Sequence, residues 1–431
     1  MSSEQTATQR RHRVLVLADS CNPEWPSLPV VGYKAAKALA DVADVTVATS
    51  VRNRPNIEKV GMGRAKVAYI DNEYVAKNIF KISRWVRGSE GAWTTAMAFS
   101  YPSYVAFEYE ALRTFASQIE SGEFDVIHRI TPMSPTLPSF VAAKVKHIPF
   151  VLGPLNGGLP WPPEFRNELR KEKEWMAALR GLHQFLPYHK RTFQNSAAIL
   201  AGFRHTIDRL PLKSEDRVID FPEVGFDPEL FSVGSRQAFQ GEATILYAGR
   251  LVPYKLPDTV VHAFVENSAL HRHRLIVAGD GPMRAELEQI VRAAGLAERV
   301  SFLGKVTQAE VGELMRKSDI FAFPSIRELG AGVLIEAMAC ALACVVVDYG
   351  APGALIDSDR GVVLPLSAKP EVIKNLGAAL VKLTSSPSSV LQKGENARDF
   401  AFKHYTWAAK AAKTLEVYDW VLGRNPRKPS F

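Results

Sequence analysis

The chain has 431 residues, of which 47% are hydrophobic and 23% are charged, and its formal net charge is +8. This composition is that of an ordinary globular protein and excludes a disordered chain. The length exceeds the roughly 250–300 residues at which a single core stops growing, so we expect two domains.

The charge and the cysteines limit the partners. The excess of basic residues favours anionic partners, such as phosphates or an acidic lipid surface. It is spread along the chain without a recognisable nucleic-acid-binding module, so we expect no nucleic-acid partner.

Cys21, Cys340 and Cys344 have no zinc-binding spacing, and no metal is predicted. The polar, basic start and the lack of an apolar run of about eighteen residues predict a cytoplasmic protein.

The first half of the chain alternates between strand and helix patterns. Apolar strands are predicted at 14–18, 45–48, 126–128, 150–152 and 197–200, with helices near 32–40 and 140–146. Such alternation predicts a parallel sheet with right-handed crossovers. Residues 155–195 interrupt the pattern with a stretch rich in Trp, Pro and basic residues. Residues 221–228 are dense in Pro, Gly and Asp and predict a connection between domains.

A second series of the same kind follows. Strands are predicted at 245–248, 275–278, 300–303, 320–323 and 345–347, several of them ending in a Gly or Pro turn, and an amphipathic helix is predicted from Tyr405 to Leu422. We expect an N-terminal domain at 1–222, with 1–12 disordered, a C-terminal domain at 223–404, and a final segment at 405–431 that packs back on the N-terminal domain. Neither half carries a G-x-G-x-x-G after its first strand or a P-loop.

The most informative stretch is residues 323–339, which places one carboxylate, Glu328, in a loop and another, Glu336, in an apolar helix. Ligands of open parallel sheets bind beyond the carboxyl ends of the strands. The small residues Gly330, Ala331 and Gly332 predict a turn into the helix, where unpaired amides and the helix dipole favour an anion such as a diphosphate. A buried Glu336 requires a partner, and a ribose hydroxyl is one candidate. A helix-start or solvent-facing Glu is the other interpretation.

Two cations follow the first strand of the second half. Arg250 can bind phosphate oxygens with its forked guanidinium, and Lys255 can add a point charge. Together they would stabilise the charge on a leaving diphosphate. Two surface cations beside a Pro turn are the alternative interpretation.

These residues resemble those of a known family. The patterns G-R-L-x-x-x-K (249–255), G-D-G-P (279–282) and P-S-x-x-E with a second Glu in E-A-M-A (324–339) are similar in order and spacing to the donor half of family 4 retaining glycosyltransferases with the GT-B fold. The resemblance extends more faintly to the first half through 125–128, 153–158 and 224–227.

The resemblance implies an α/β chain whose two Rossmann-like domains face each other across a cleft, and a nucleoside-diphosphate sugar as donor. It implies that Arg250 and Lys255 bind the diphosphate, that Glu336 binds the ribose and that Glu328 contacts the transferred sugar. It adds Gly279, Gly281 and Pro282 to the donor site. It further implies a front-face reaction with retention, no metal and no other cofactor.

The first half departs from the family pattern. The family carries two glycines in its first loop and an H-x-H after the strand that ends here at His128, whereas this chain has Val31-Gly32 and, at the second His place, Ile130. The resemblance implies that His128 contacts the sugar; a hydrogen-bonded structural His is the alternative.

Residues predicted in the acceptor or cleft loops are Gly32, Asn156, Gly157, Gly158 and Trp161. Trp161 either stacks on a sugar or packs beneath its Pro-rich loop.

Two further patterns have competing interpretations. Asp357-Ser358-Asp359 resembles the D-x-D of metal-dependent transferases, but its place between a Gly-Pro turn and Arg360-Gly361 favours a solvated turn. Residues 165–193 mix aromatic and basic side chains, which would suit an anionic membrane surface and a peripheral place on the inner face of the cell membrane. Interleaved Glu168, Glu172 and Glu174 suit a solvated helix equally well.

The sequence thus predicts a retaining, metal-independent glycosyltransferase of carbohydrate or polysaccharide biosynthesis, whose acceptor is a glycan, a lipid-linked saccharide or a small molecule. Two alternatives remain. One is a non-catalytic nucleotide-sugar-binding or membrane-peripheral scaffold, and the other is a sugar-nucleotide epimerase or phosphorylase on the same fold.

Overall fold

The structure is a computed structural model that describes residues 10–75, 93–165 and 183–431. The chain divides into two compact units. Of the described residues, the first comprises 10–75, 93–157, 183–223 and 410–431, and the second comprises 158–165 and 224–409.

The first unit is built on a parallel sheet in the order β3-β2-β1-β4-β5-β6-β7. Its strands are β1 (Arg13–Ala18), β2 (Asp44–Ser50), β3 (Lys66–Ile70), β4 (Val126–Thr131), β5 (Phe150–Leu155), β6 (Ser196–Ala201) and β7 (Val218–Asp220). Its helices are α1 (Leu28–Val42), α2 (Arg54–Val60), α3 (Trp93–Glu120), α4 (Phe140–Lys144), α5 (His189–Asn195) and α6 (Phe203–Ile207).

The second unit repeats the design with the strand order β10-β9-β8-β11-β12-β13. Its strands are β8 (Thr244–Ala248), β9 (Arg274–Ala278), β10 (Val300–Gly304), β11 (Ile320–Phe323), β12 (Ala343–Val347) and β13 (Gly361–Leu364). Its helices are α7 (Pro257–Val265), α8 (Arg284–Ala293), α9 (Gln308–Lys317), α10 (Gly332–Ala339), α11 (Gly350–Leu355), α12 (Lys369–Thr384) and α13 (Pro387–Tyr405).

The central strands are covered on both faces, which explains their apolar runs. Every residue of β4, β11 and β12 is buried, as expected for parallel strands with helices on each side. The strand order reverses beside β1 in the first sheet and beside β8 in the second. Such reversals separate the loops at the carboxyl ends of neighbouring strands and create a crevice there. The predicted fold class, an α/β chain of two Rossmann-like domains, is confirmed.

The last helix, α14 (Trp407–Val421), enters the first unit at Lys410. Val417 and Tyr418 are fully buried there and pack with Val14, Val16 and other residues around β1. Residues 410–431 therefore complete the core of the first unit.

The structure differs from the predicted boundaries at two places. Residues 10–12 were expected to be disordered, but His12 is buried and its Nε2 lies 3.0 Å from the Asp419 carboxylate. The predicted N-terminal domain included residues 158–165, yet these pack with the second unit because Phe165 is buried in its core. Among the described residues, no helix is both long and apolar enough to cross a membrane.

Candidate functional site

Three loops of the second unit meet at the carboxyl ends of β8, β9 and β11. The amide N–H of Gly249 donates to the Ala278 carbonyl oxygen at 2.9 Å, and that of Leu251 donates to Asp280 at 2.9 Å. The amide of Ile326 donates to the Tyr254 carbonyl oxygen at 3.0 Å. The loop after β8 is therefore fastened on one side to the G-D-G-P turn and on the other to the loop that carries Glu328.

Glycine is required where the first two loops touch. A Cβ on Gly279 would lie 1.9 Å from the Gly249 carbonyl oxygen, and one on Gly281 would lie 2.4 Å from the Leu251 carbonyl oxygen. Gly279 also has φ +145, which L side chains rarely adopt. The turn into Pro282 is thus set by close backbone packing, and the predicted donor-site glycines have a structural reason to be glycine.

Lys255 and Glu328 form an ion pair that joins two of the loops. Lys255 Nζ donates to Glu328 Oε1, and both side chains are about 15% exposed (15% and 14%). The buried Ser325 hydroxyl donates to the same Oε1 at 3.0 Å, and the Lys255 ammonium lies 5.4 Å from the centre of the Phe323 ring. The pair is therefore held in one place by surroundings that exclude most of the solvent.

Arg250 lies on the exposed side of the same loop. Its Nη2 donates to the Tyr254 hydroxyl, and its guanidinium lies 5.6 Å from the centre of that ring. The buried Tyr247 hydroxyl donates to the Arg250 carbonyl oxygen at 3.2 Å. Arg250 is thus contacted through its side chain by Tyr254 and through its backbone by Tyr247.

The turn into α10 has the predicted form. Ala331 has left-handed backbone angles (φ 50, ψ 46), and α10 begins at Gly332. Glu336 lies one turn into the helix and is half-buried, where its Oε1 accepts from Gln308 Nε2 at 3.0 Å. The carboxylate is thus contacted by a side-chain amide of α9 and also has access to solvent.

His128 has a different environment from the one that the resemblance implies. It is 2% exposed, its Nδ1 lies 2.7 Å from the Tyr418 hydroxyl, and its Nε2 lies 2.7 Å from the Gly153 carbonyl oxygen. Burial lowers its pKa to about 4. Because both ring nitrogens are engaged inside the first unit, the structure contradicts the sugar-contacting role and supports a structural one.

The remaining first-unit candidates lie in two places. A Cβ on Gly32 would lie 2.6 Å from the Ser20 carbonyl oxygen, so α1 approaches the loop after β1 closely. Asn156 follows β5 and its amide donates to the Glu223 carboxylate, while the Gly157 amide donates to Thr206 Oγ1 at 3.3 Å. The structure therefore gives each of these predicted acceptor residues a structural contact.

Trp161 packs with the donor-site loops rather than standing open. The Arg327 guanidinium lies 4.9 Å from its ring centre, and its ring meets that of Tyr254 edge-on at 6.3 Å. Trp161 is half-buried against these two side chains. Sequence reasoning missed Arg327 and Tyr254; their positions beside Glu328 and Lys255 were the available signal.

The D-x-D pattern forms a turn. Asp357 Oδ1 accepts from the amides of Asp359 and Arg360 at 3.1 Å, and its Oδ2 accepts from Arg360 Nη2 at 2.8 Å. The predicted solvated turn is confirmed.

Most of the aromatic and basic stretch predicted for a membrane surface, including Trp175, lies outside the described residues.

Comparison with known proteins supports these assignments of fold. Residues 233–400 match the family "Glycosyl transferases group 1". The chain is 28% identical to the D-inositol 3-phosphate glycosyltransferase of Mycobacteroides abscessus over 231 residues, which is 49% of each chain. The chain thus spans about half the length of the curated relatives it matches.

Solved structures share the fold over nearly the whole chain. The sucrose-phosphate synthase of Thermosynechococcus elongatus superposes with a TM-score of 0.65 at 16% identity, covering 96% of this chain and 100% of that one. The HepE protein of Anabaena in complex with UDP gives 0.61 at 17% identity, covering 94% and 98%. The region that matches the glycosyl transferases group 1 model, residues 233–400, includes the loops that carry Arg250, Lys255 and Glu328.

Proposed function

We propose that this protein is a retaining glycosyltransferase that moves a sugar from a nucleoside-diphosphate sugar to a hydroxyl of its acceptor without a metal. The observation that carries the proposal is the ion pair of Lys255 with Glu328, which joins the loops at the carboxyl ends of β8 and β11. Arg250 lies in the same loop as Lys255. Relatives named as glycosyltransferases and a neighbour in complex with UDP support it.

The chemistry follows from the charges of these residues. Arg250 and Lys255 supply two positive charges that can stabilise the diphosphate as the bond to the sugar breaks, which is the role that a divalent ion has in metal-dependent transferases. The leaving phosphate oxygen then takes the proton of the acceptor hydroxyl as that hydroxyl attacks the same face of the sugar. The carboxylate of Glu328 faces the transferred sugar and orients it through its hydroxyl groups.

The ion pair between Lys255 and Glu328 also has a role before the donor arrives. The two charges neutralise each other, so a mostly buried ammonium is not left without a partner. A diphosphate offers more negative charge than one carboxylate and would draw Lys255 away from Glu328. Glu328 is then released toward the sugar at the moment the donor binds.

The ribose is assigned to Glu336 and the acceptor to the first unit. Glu336 is half-buried on α10, and a carboxylate there can accept from both ribose hydroxyls. The acceptor class that we propose is a glycan, a lipid-linked saccharide or a small molecule, used on the cytoplasmic side of the cell, with the inner membrane surface as a peripheral partner.

The test is thermal unfolding with a panel of uridine, guanosine and adenosine diphosphates and their sugars. Nucleotide at a hundredfold over its Kd should add about 2.7 kcal/mol of stability. We expect the shift for one nucleotide in wild type, its loss in Lys255→Ala and Glu336→Ala, and its retention in a control, Lys382→Ala, on the exposed face of α12. No shift with any nucleotide would contradict a donor site.

Turnover separates an enzyme from a scaffold. With a matching donor and acceptor, we expect diphosphate release that persists in excess chelator and a product with the anomeric configuration of the donor, measured by NMR. Release that stops with chelator would contradict metal independence, and inversion would contradict a retaining reaction. Nucleotide binding without release to any acceptor or to water would favour the non-catalytic scaffold.

A further inference from the structure

A short segment from the first half of the sequence packs on the donor-site loops. Residues 158–165 belong to the second unit. The Tyr349 hydroxyl donates to the Pro160 carbonyl oxygen at 2.8 Å, and a Cβ on Gly350 would lie 2.9 Å from Leu159 Cδ2. The segment is therefore held against the loop that follows β12.

Trp161 extends these contacts to the loops that follow β8 and β11. One neighbour of its ring is Arg327, whose guanidinium lies 4.9 Å from the ring centre. The other is Tyr254, whose ring meets it at an interplanar angle of 84°. Trp161 thus contacts the residue directly before Glu328 and the residue directly before Lys255.

Tyr254 carries the contact on to Arg250, because its hydroxyl accepts from Arg250 Nη2. The side chains form a continuous row in the order Arg327, Trp161, Tyr254 and Arg250. Cations lie at both ends and aromatic rings lie between them. Trp is the aromatic residue with the strongest attraction for a cation, and Arg is the cation that most often takes such a place.

We propose that Trp161 is a positioning residue of the donor site, which holds Arg327 directly and Arg250 through Tyr254 in the orientations that meet the donor diphosphate. This inference rests on the proposed function. It moves Trp161 from the acceptor side, where the sequence placed it, to the donor side. It also assigns Arg327 to diphosphate binding beside Arg250 and Lys255.

The physical reason is the cost of ordering long side chains. An Arg side chain loses up to about 2 kcal/mol of rotamer freedom when it is fixed. A rigid Trp that fixes two guanidinium groups before the nucleotide arrives removes part of that cost from binding. Trp161 therefore acts on nucleotide affinity without touching the nucleotide.

The experiment compares Trp161→Leu with Trp161→Phe by calorimetric titration of the nucleoside diphosphate that wild type binds. Leu keeps an apolar side chain but has no aromatic face, whereas Phe retains a face for Arg327 and an edge for Tyr254. We expect Trp161→Leu to bind the nucleoside diphosphate roughly fivefold more weakly than wild type, and the affinity of Trp161→Phe to stay within about twofold of wild type. The control is Trp25→Leu in the first unit, also partly exposed, with unchanged affinity expected.

The results distinguish a failure of this inference from a failure of the proposed function. Equal affinities of wild type and Trp161→Leu would overturn the inference, and so would an equal loss in the Leu and Phe variants, because the aromatic face would then not matter. The unfolding midpoint without nucleotide is measured for each variant. We expect Trp161→Leu and Trp161→Phe to have the same midpoint. A wild type that binds no nucleotide contradicts the proposed function instead.

A second variant tests the row if Trp161→Leu does not fold. Arg327→Met leaves Trp161 in place and should weaken nucleotide affinity by a similar factor; an unchanged affinity would overturn the inference. Where both single variants fold, the double variant should lose less than the product of the two single losses, because the residues act through one contact. A loss equal to the product would mean that Trp161 and Arg327 act independently.

Discussion

The imidazole of His128 lies between the Tyr418 hydroxyl and the Gly153 carbonyl oxygen, 2.7 Å from each. A carbonyl oxygen can only accept, so Nε2 carries the proton and Nδ1 accepts from the tyrosine. The ring therefore joins β4, β5 and α14 in its neutral form. A protonated ring would place a charge in the core, where burial disfavours it.

Acid should weaken this connection. Burial lowers the folded-state pKa of His128 to about 4, while the unfolded imidazole titrates near 6.5. Between these values the unfolded chain binds the proton and the folded chain does not, so the stabilising contribution is complete above pH 6.5 and is lost as pH falls to 4. The stability advantage of wild type over His128→Asn should shrink by about 3 kcal/mol over this range. Denaturant unfolding at several pH values measures it, and a constant difference would contradict the neutral ring.

The contact between Gly279 and Gly249 predicts a stability effect. In Gly279→Ala the new Cβ would lie 1.9 Å from the Gly249 carbonyl oxygen, so the two loops must separate. We expect a loss of unfolding free energy of on the order of 3 kcal/mol and a loss of nucleotide binding. Gly295→Ala is the matched control, with φ +71 and no atom within 4 Å of its Cβ, and should cost about 1–2 kcal/mol with binding kept. Equal effects of the two variants would refute the contact.

Replacing Glu328 by Gln should separate binding from turnover. The amide removes a negative charge beside the diphosphate site and releases Lys255 from its ion pair, so nucleoside-diphosphate affinity should stay equal or increase. Turnover should fall on the order of a hundredfold, because the carboxylate no longer orients the sugar. Steady-state rates and a calorimetric titration measure the two effects. Glu298→Gln, at an exposed position, serves as the control, and an unchanged turnover would remove Glu328 from the reaction.

Lys410 should make stability rise with pH above neutrality. Its ammonium is buried, donates to the Pro222 carbonyl oxygen and lies 4.0 Å from the centre of the Phe221 ring. Burial lowers its pKa to about 7, against opposing effects of the Glu223 and Asp220 carboxylates, with Lys413 adding to the decrease.

Between pH 7 and about 10.5 the unfolded chain binds a proton that the folded chain does not, so the wild type gains stability as pH rises. Lys410→Met, which cannot titrate, should therefore be favoured most over wild type below pH 7, and that advantage should shrink by several kcal/mol toward pH 10. Unfolding by denaturant at pH 6, 8 and 9.5 provides the comparison. A difference that does not vary with pH would show that Lys410 keeps an ordinary pKa.

The sequence predicted the central strands of both sheets, because strands buried on both faces are continuous apolar runs that end at Gly or Pro turns. It did not predict β3, β7 or β13. β7 has three residues, which are too few to show a strand pattern. In β3 the residues from Val67 to Ile70 are apolar, but Lys66 is exposed and only Ile70 is buried. The long α3 was also missed; it includes Pro102, which ordinarily ends a helix pattern.

At the site, the sequence by itself determined which residues lie together because of their local order. Arg250, Lys255, Glu328, Gly332 and Glu336 stand at fixed distances from strand ends, and the carboxyl ends of parallel strands share one edge of a sheet, so their grouping on the second unit follows from the chain order. The glycines of the G-D-G-P turn are determined in the same way, since their close packing is between adjacent strand ends.

Only the tertiary structure showed the contacts of His128 and Trp161. Their partners, Tyr418 and Arg327, are distant in sequence, and no spacing pattern indicates that α14 encloses His128 or that residues 158–165 pack with the second unit. Burial and contact between such segments depend on how the whole chain packs. A residue's type and local order indicate what chemistry it can perform, whereas its tertiary neighbours decide whether it is left free to perform it.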